Sequence, residues 1–85
     1  MELIDSLREK NFSKMRQWVV ANVDNDPATV YRKIYDELYN VVDKGSIPQA
    51  VLTIAEYQYK SAFVADQEIN LVACLVELMA ECEFV

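Results

Sequence analysis

Histidine is absent from this 85-residue chain, and glycine occurs only once, at Gly45. Without histidine, zinc sites and His-based catalysis are excluded from within the chain. With one glycine, the phosphate-binding loop G-x-x-x-x-G-K-[ST] is excluded as well. One glycine and two prolines leave little turn chemistry for a β-sandwich or barrel. Basic residues stop at Lys60, while Asp66, Glu68, Glu77, Glu81 and Glu83 follow it, and the formal charge is −6. Phosphate backbones are held by clustered lysine and arginine, so direct nucleic-acid contact is not expected. No apolar run reaches the ~18–20 residues of a membrane span. The acidic start does not read as a signal peptide.

Two cysteines are present, Cys74 and Cys82, both on one expected helix. At about 1.5 Å rise per residue their Cα atoms lie about 12 Å apart, too far for a disulfide. They read as buried thiols in a reducing cytosol. No nucleophile–base pair of a familiar type is visible, so a chain without chemistry or cofactor of its own is expected.

What is present is apolar: 53% of the residues. That suffices for a core and is too much for intrinsic disorder. The expectation is one all-α domain over residues 1–85, a bundle of about five helices at 2–10, 12–23, 27–44, 47–63 and 66–82. Ile4 and Leu7 give the first helix a small apolar face, and Asn11 ends it or caps the next. Phe12, Met15, Val19 and Val23, with Trp18 beside them, mark the second. Asp24-Asn-Asp-Pro27 is the clearest boundary, with Asp26 as cap and Pro27 at the first helical position. Val30, Ile34, Leu38 and Val41 form one stripe of the third helix. Tyr31, Tyr35 and Tyr39 form a second stripe, and Gly45 reads as the stop. Ser46 and Gln49 have capping-box spacing ahead of the fourth helix, which carries Val51, Leu52, Ile54, Ala55, Tyr59 and Ala62. Asp66 caps the fifth.

The fifth helix is the most telling segment. At about 100° per residue its only consistent polar stripe is Asn70, Glu77 and Glu81. Ile69, Ala73, Val76 and Ala80 lie on one flank, and Leu71, Leu75, Leu78 and Cys82 on the other. Val72 and Met79 fall between them. The apolar arc covers roughly 260°, against about 100° for an ordinary surface helix. Such a helix is either the centre of the bundle or leaves one flank for a partner.

Other signals have plainer readings. Asp5-Ser6-Leu7 matches the attachment signature of acyl and peptidyl carrier proteins. A carrier serine should open the second helix of its bundle, so Ser6 reads as an ordinary helix residue. The tyrosine row could stack bases, but Asp36, Glu37 and Asp43 offset Arg32 and Lys33, so it reads as a half-buried rim. Trp18 is either an anchor for a partner or the largest plug of the core. Glu77 and Glu81 read as a solvated face.

The run from Tyr57 to Leu75 resembles the end of a clamp-loader small subunit of the replication factor C family. There, a helix ends in a short basic–small–acidic link before a helix of type E-x-I-x-L-x-A-x-L. Glu68, Ile69, Leu71, Ala73 and Leu75 stand in those places. Asn11-Phe-Ser-Lys-Met-Arg resembles that domain's second helix, Val30-Tyr-Arg-Lys-Ile-Tyr-Asp its third and Ile47-Pro-Gln-Ala its fourth. The resemblance spans nearly the whole chain in element order, and its details are most similar to the T4-type bacteriophage branch. Cellular relatives usually carry a glycine in the link where this chain has Val64-Ala65-Asp66.

The resemblance implies a parent AAA+ ATPase, using ATP and Mg, that opens a sliding clamp and places it on primer–template DNA in an infected bacterial cytoplasm. Nucleotide, clamp and DNA contacts would belong to parent domains outside this chain, and Met1 would be an artificial start. The chain would be the C-terminal collar, an oligomerisation domain holding loader subunits of the same and a second kind together. Each copy then has a neighbour on either side, through two different patches. Leu71, Leu75, Leu78 and Cys82 are expected on one side, with Trp18 or the tyrosine row, including Tyr31 and Tyr35, on the other. The competing reading is a stand-alone acidic helical adaptor gripping one partner through Trp18 and the tyrosines.

Overall fold

Short polar side chains set most helix starts in the computed structural model, which describes residues 2–22, 24 and 26–85. The expected Val23 position of the second helix, Asn25 of the boundary and the Met1 start lie outside the described residues. The helices are α1 (Glu2–Arg8), α2 (Phe12–Asn22), α3 (Pro27–Val41), α4 (Ile47–Lys60) and α5 (Gln67–Glu81). Asn11 Oδ1 accepts from the Lys14 amide at 3.1 Å, capping α2. Asp26 Oδ1 accepts from Ala28 N–H at 3.1 Å, with Pro27 at the first helical position of α3. Asp66 Oδ1 accepts from Ile69 N–H at 3.2 Å at the start of α5. Each such cap contributes about 1 kcal/mol by satisfying an otherwise free helical amide.

The ends differ more from expectation. α1 stops because Lys10 turns left-handed, with φ 55°. The amides of Asn11 and Lys10 then close back on the carbonyls of Ser6 (2.9 Å) and Leu7 (3.1 Å), a Schellman ending. α3 ends at Val41 rather than near Lys44, and Gly45 is not its stop. Val42 instead leaves the helix extended and forms an antiparallel bridge with Phe84. The Asp43 amide reaches the Glu83 carbonyl (2.8 Å), and that of Val85 reaches Val41 (2.9 Å). Gly45 lies in a 3-10 turn, Lys44–Ser46, capped by Asp43, whose Oδ2 accepts from Gly45 N–H.

The capping box is not formed. The 3-10 turn leads directly into α4, so Ser46 is already helical and makes no side-chain cap. Its Oγ accepts from Glu83 N–H at 3.0 Å. Gln49 Nε2 donates to Glu81 Oε2 (2.9 Å) and Thr53 Oγ1 (3.3 Å). Two side chains expected to act locally instead tie α4 to the C-terminal end of α5.

α1 packs on α2, α3 and α5; α4 packs on α3 and α5; α2 packs on α5. Leu3, Ile4 and Leu7, Met15 and Val19, Ile34 and Leu38, Ala50 and Ile54, and Leu71, Cys74, Leu75 and Leu78 close one core. Burial of each larger aliphatic side chain stabilises the fold by about 1.5–3 kcal/mol. The radius of gyration is 11.7 Å, as for a compact chain of this length, about 12 Å. The accessible surface is 5003 Å², close to the ~5,200 Å² of a folded monomer of this mass. The bundle closes without a partner.

Candidate interaction surface

The two apolar flanks of α5 have opposite fates. Leu71, Leu75, Leu78 and Cys82, expected at a subunit interface, are buried inside this chain. α1, α2 and α4 pack on α5 and cover them, so they are not available to another subunit while the domain is folded. The opposite flank is free: Ile69 is 67% exposed and Val76 40%, with Ala73 half-buried between them and Ala80 exposed. Periodicity identified both flanks correctly as apolar but did not tell them apart.

The tyrosine row also divides. Tyr31 is core at 1% exposure, Tyr35 is half-buried and Tyr39 is exposed. Tyr31 is thus removed from the expected interface. The Tyr35 and Tyr39 rings meet edge to face at 5.7 Å, and the Arg32 guanidinium lies 5.2 Å from the Tyr35 ring centre. Trp18 is half-buried, packed against the core at a depression also lined by Asn22, Thr29, Val30 and Lys33. It is both plug and surface. Among the expected interface residues, Trp18 and Tyr35 keep some exposure.

Asn70 does not belong to a solvated stripe. It is 7% exposed. Its Nδ2 donates to the Tyr31 hydroxyl oxygen at 3.0 Å and to the Tyr57 carbonyl at 3.1 Å, joining α5 to α3 and α4. Burial pushes the Tyr31 phenol up to about 12, with nearby Cys74 adding and the Asn70 hydrogen bond opposing. Burial, then the charge of Glu77, pushes the Cys74 thiol up to about 12. At neutral pH both groups keep their protons, so Cys74 is a packing group rather than a nucleophile. Ser6 is fully buried, and its Oγ donates to the Leu3 carbonyl at 2.6 Å, which leaves it closed to modification in the folded chain.

The apolar residues expected along the fourth helix include Leu52 and Tyr59. The buried face of α4 is Ala50, Thr53 and Ile54. Leu52 (66% exposed), Tyr59 (70%) and Phe63 (73%) point outward, and the Tyr59 and Phe63 rings meet at 5.2 Å. At the turn into α5, Val64, Ala65, Asp66, Ile69, Asn70 and Ala73 line an open groove of about 420 Å³. The fold and this surface define an all-α domain with an unpartnered apolar face. No family model matches the sequence, and no curated protein is significantly similar to it. No helix among the described residues is long and apolar enough to cross a membrane.

Proposed function

We propose that this chain is an assembly module, the collar domain of a sliding-clamp-loader ATPase subunit of the T4-type phage branch. The observation that carries the assembly role is the free flank of α5. Ile69 and Val76 are exposed, with Ala73 half-buried between them, on a domain whose core is already closed. An exposed apolar flank beside an apolar groove, on a closed core, is the kind of surface a contact site uses. The clamp-loader identity is supported by the order of helices and by Glu68, Ile69, Leu71, Ala73 and Leu75, which fit the family's last-helix pattern with the hydrophobic positions split between core and surface. The partners are other loader subunits, of this kind and a second kind. Clamp, DNA, ATP and Mg contacts belong to ATPase domains of the parent, in the cytoplasm of an infected bacterium.

The test is the reading frame upstream of codon 1, followed by co-purification. An in-frame phosphate-loop ATPase whose subunit complex is weakened by Val76→Asp supports the loader reading. A start codon with its own ribosome-binding site at Met1 would overturn it in favour of a stand-alone adaptor.

A further inference from the structure

The free flank of α5 has a one-sided electrostatic setting. From Ser61 to the end of the chain there are five carboxylates (Asp66, Glu68, Glu77, Glu81 and Glu83) and no lysine or arginine. Two of them, Asp66 and Glu68, stand at the N-terminal end of α5, where the groove of Val64, Ala65, Ile69 and Ala73 opens. A partner for this groove needs an apolar knob with basic neighbours. A two-fold contact of α5 on α5 would set carboxylate against carboxylate and is disfavoured.

One surface of the same chain has the required chemistry. α2 contains no acidic residue. Along its outer side Phe12 is 50% exposed, Arg16 is exposed one turn later, and Val20 is 48% exposed another turn on. Arg8 and Lys10 are exposed just ahead of it. Lys14 is engaged by Glu9 at 3.0 Å, whereas Arg16 has no carboxylate partner among the described residues. A groove of about 420 Å³ is ample for a phenyl ring.

We propose that the α5 groove of one copy receives the outer side of α2 of a second copy. Phe12 enters between Val64, Ala65, Ile69 and Ala73, and Arg16 faces Asp66 and Glu68. This deepens the assembly reading by naming the two faces that meet, and it does not depend on the loader identity. The contact is heterologous: the two patches differ, and each copy carries one of each.

The experiment is light scattering after size exclusion on the 85-residue chain, from about 10 µM to about 1 mM. The expected result is a mass that rises above 9.8 kDa with concentration and falls back as salt screens the charges. Ile69→Asp puts a carboxylate where the groove needs an apolar wall for Phe12, and Arg16→Glu reverses the charge beside the knob; both sites are exposed, and circular dichroism checks that each variant stays folded. Each variant alone should be a monomer. An equimolar mixture should regain the one-to-one complex, because the intact groove of one variant meets the intact α2 of the other. A wild-type monomer up to about 1 mM, or a mixture that stays monomeric, overturns the proposal. If the chain fails to self-associate but an ATPase lies upstream, the loader reading stands with a different subunit as partner. If self-association holds with no ATPase upstream, the interface stands and the loader reading falls.

Discussion

Replacing Asn70 by alanine tests the polar junction of the core. The substitution removes two hydrogen bonds, to Tyr31 and to the Tyr57 carbonyl. The two losses are unequal. The Tyr57 carbonyl still accepts from the Ser61 amide at 2.9 Å, so it is not orphaned. The Tyr31 hydroxyl is buried and loses its Asn70 partner. A net hydrogen bond is worth about 1 kcal/mol, and an unsatisfied buried group costs about 1–3 kcal/mol. The few atoms removed leave a small void worth up to about 1 kcal/mol more. The expected destabilisation is about 2–3 kcal/mol. A domain of this size has roughly 4–13 kcal/mol in total, so the variant should still fold, with its melting temperature lowered by about 10–15 °C. Tyr31→Phe removes the hydroxyl without orphaning Asn70 and should cost about 1 kcal/mol. In the double variant the orphaned hydroxyl no longer exists, so the combined loss should fall short of the sum by about 1 kcal/mol. Urea titrations followed by circular dichroism at fixed pH measure all four corners of the cycle. An Asn70→Ala variant within about 0.5 kcal/mol of wild type would refute the reasoning and return Asn70 to a solvated face.

Leu75→Asp should abolish cooperative folding, because it puts a carboxylate at a fully buried position at a cost above about 4 kcal/mol. Val76→Asp, one residue on but facing outward, should change stability by less than about 0.5 kcal/mol; thermal melts compare the pair. Tyr31 and Cys74 keep their protons in the folded state up to about 12, above their ordinary values of 10.0 and 9.0. Above about pH 9 the native chain therefore binds more protons than the unfolded one, and stability falls as pH rises. The contribution is complete below about pH 9 and is lost towards about pH 12, at about 1.4 kcal/mol per pH unit for each group titrating only when unfolded. Denaturant midpoints flat from pH 9 to 11 would contradict this, as would native-state alkylation of Cys74 at the rate of a free thiol. Asp66→Ala should cost about 1 kcal/mol and Asp66→Asn much less, since asparagine keeps a capping oxygen for the Ile69 amide; urea midpoints decide it.

Helix number and order were legible because they rest on local signals. Asp26-Pro27 and Asp66 are short-range devices, and the structure uses both as the spacing suggests. Errors came wherever the deciding contact is distant in sequence. Gly45 was expected to stop α3, but Phe84, about 40 residues on, pairs with Val42 and stops it earlier. Ser46 and Gln49 have capping-box spacing, yet their side chains are claimed by Glu83 and Glu81. Asn70 looks like a surface residue until Tyr31 approaches from 39 positions away. The same reason explains why the two flanks of α5 were not told apart. A helix apolar over most of its circumference contains no local mark of which side its neighbours cover. Only the arrival of α1, α2 and α4 makes Leu71, Leu75 and Leu78 interior and leaves Ile69 and Val76 outside.

The closed core also bears on how such a surface would work. In an obligate oligomer the interface resembles a domain core cut in half, and the protomer does not fold alone. Here Leu71, Leu75 and Leu78 are satisfied within one chain, so folding and association are separate events. The surface left for association is modest, a groove and two short apolar stripes with charged surroundings. A contact with a dissociation constant near 1 mM would be nearly silent for free domains at micromolar concentration. Tethering domains in a larger assembly raises the effective concentration to about the millimolar range, where the same contact is about half formed. If the proposed assembly role holds, such a surface would engage when its neighbours are already held nearby and release when they are not. Substitutions on the outer flank of α5 should therefore change the cohesion of an assembly without changing the melting temperature of the domain, whereas those on the inner flank should lower the melting temperature first.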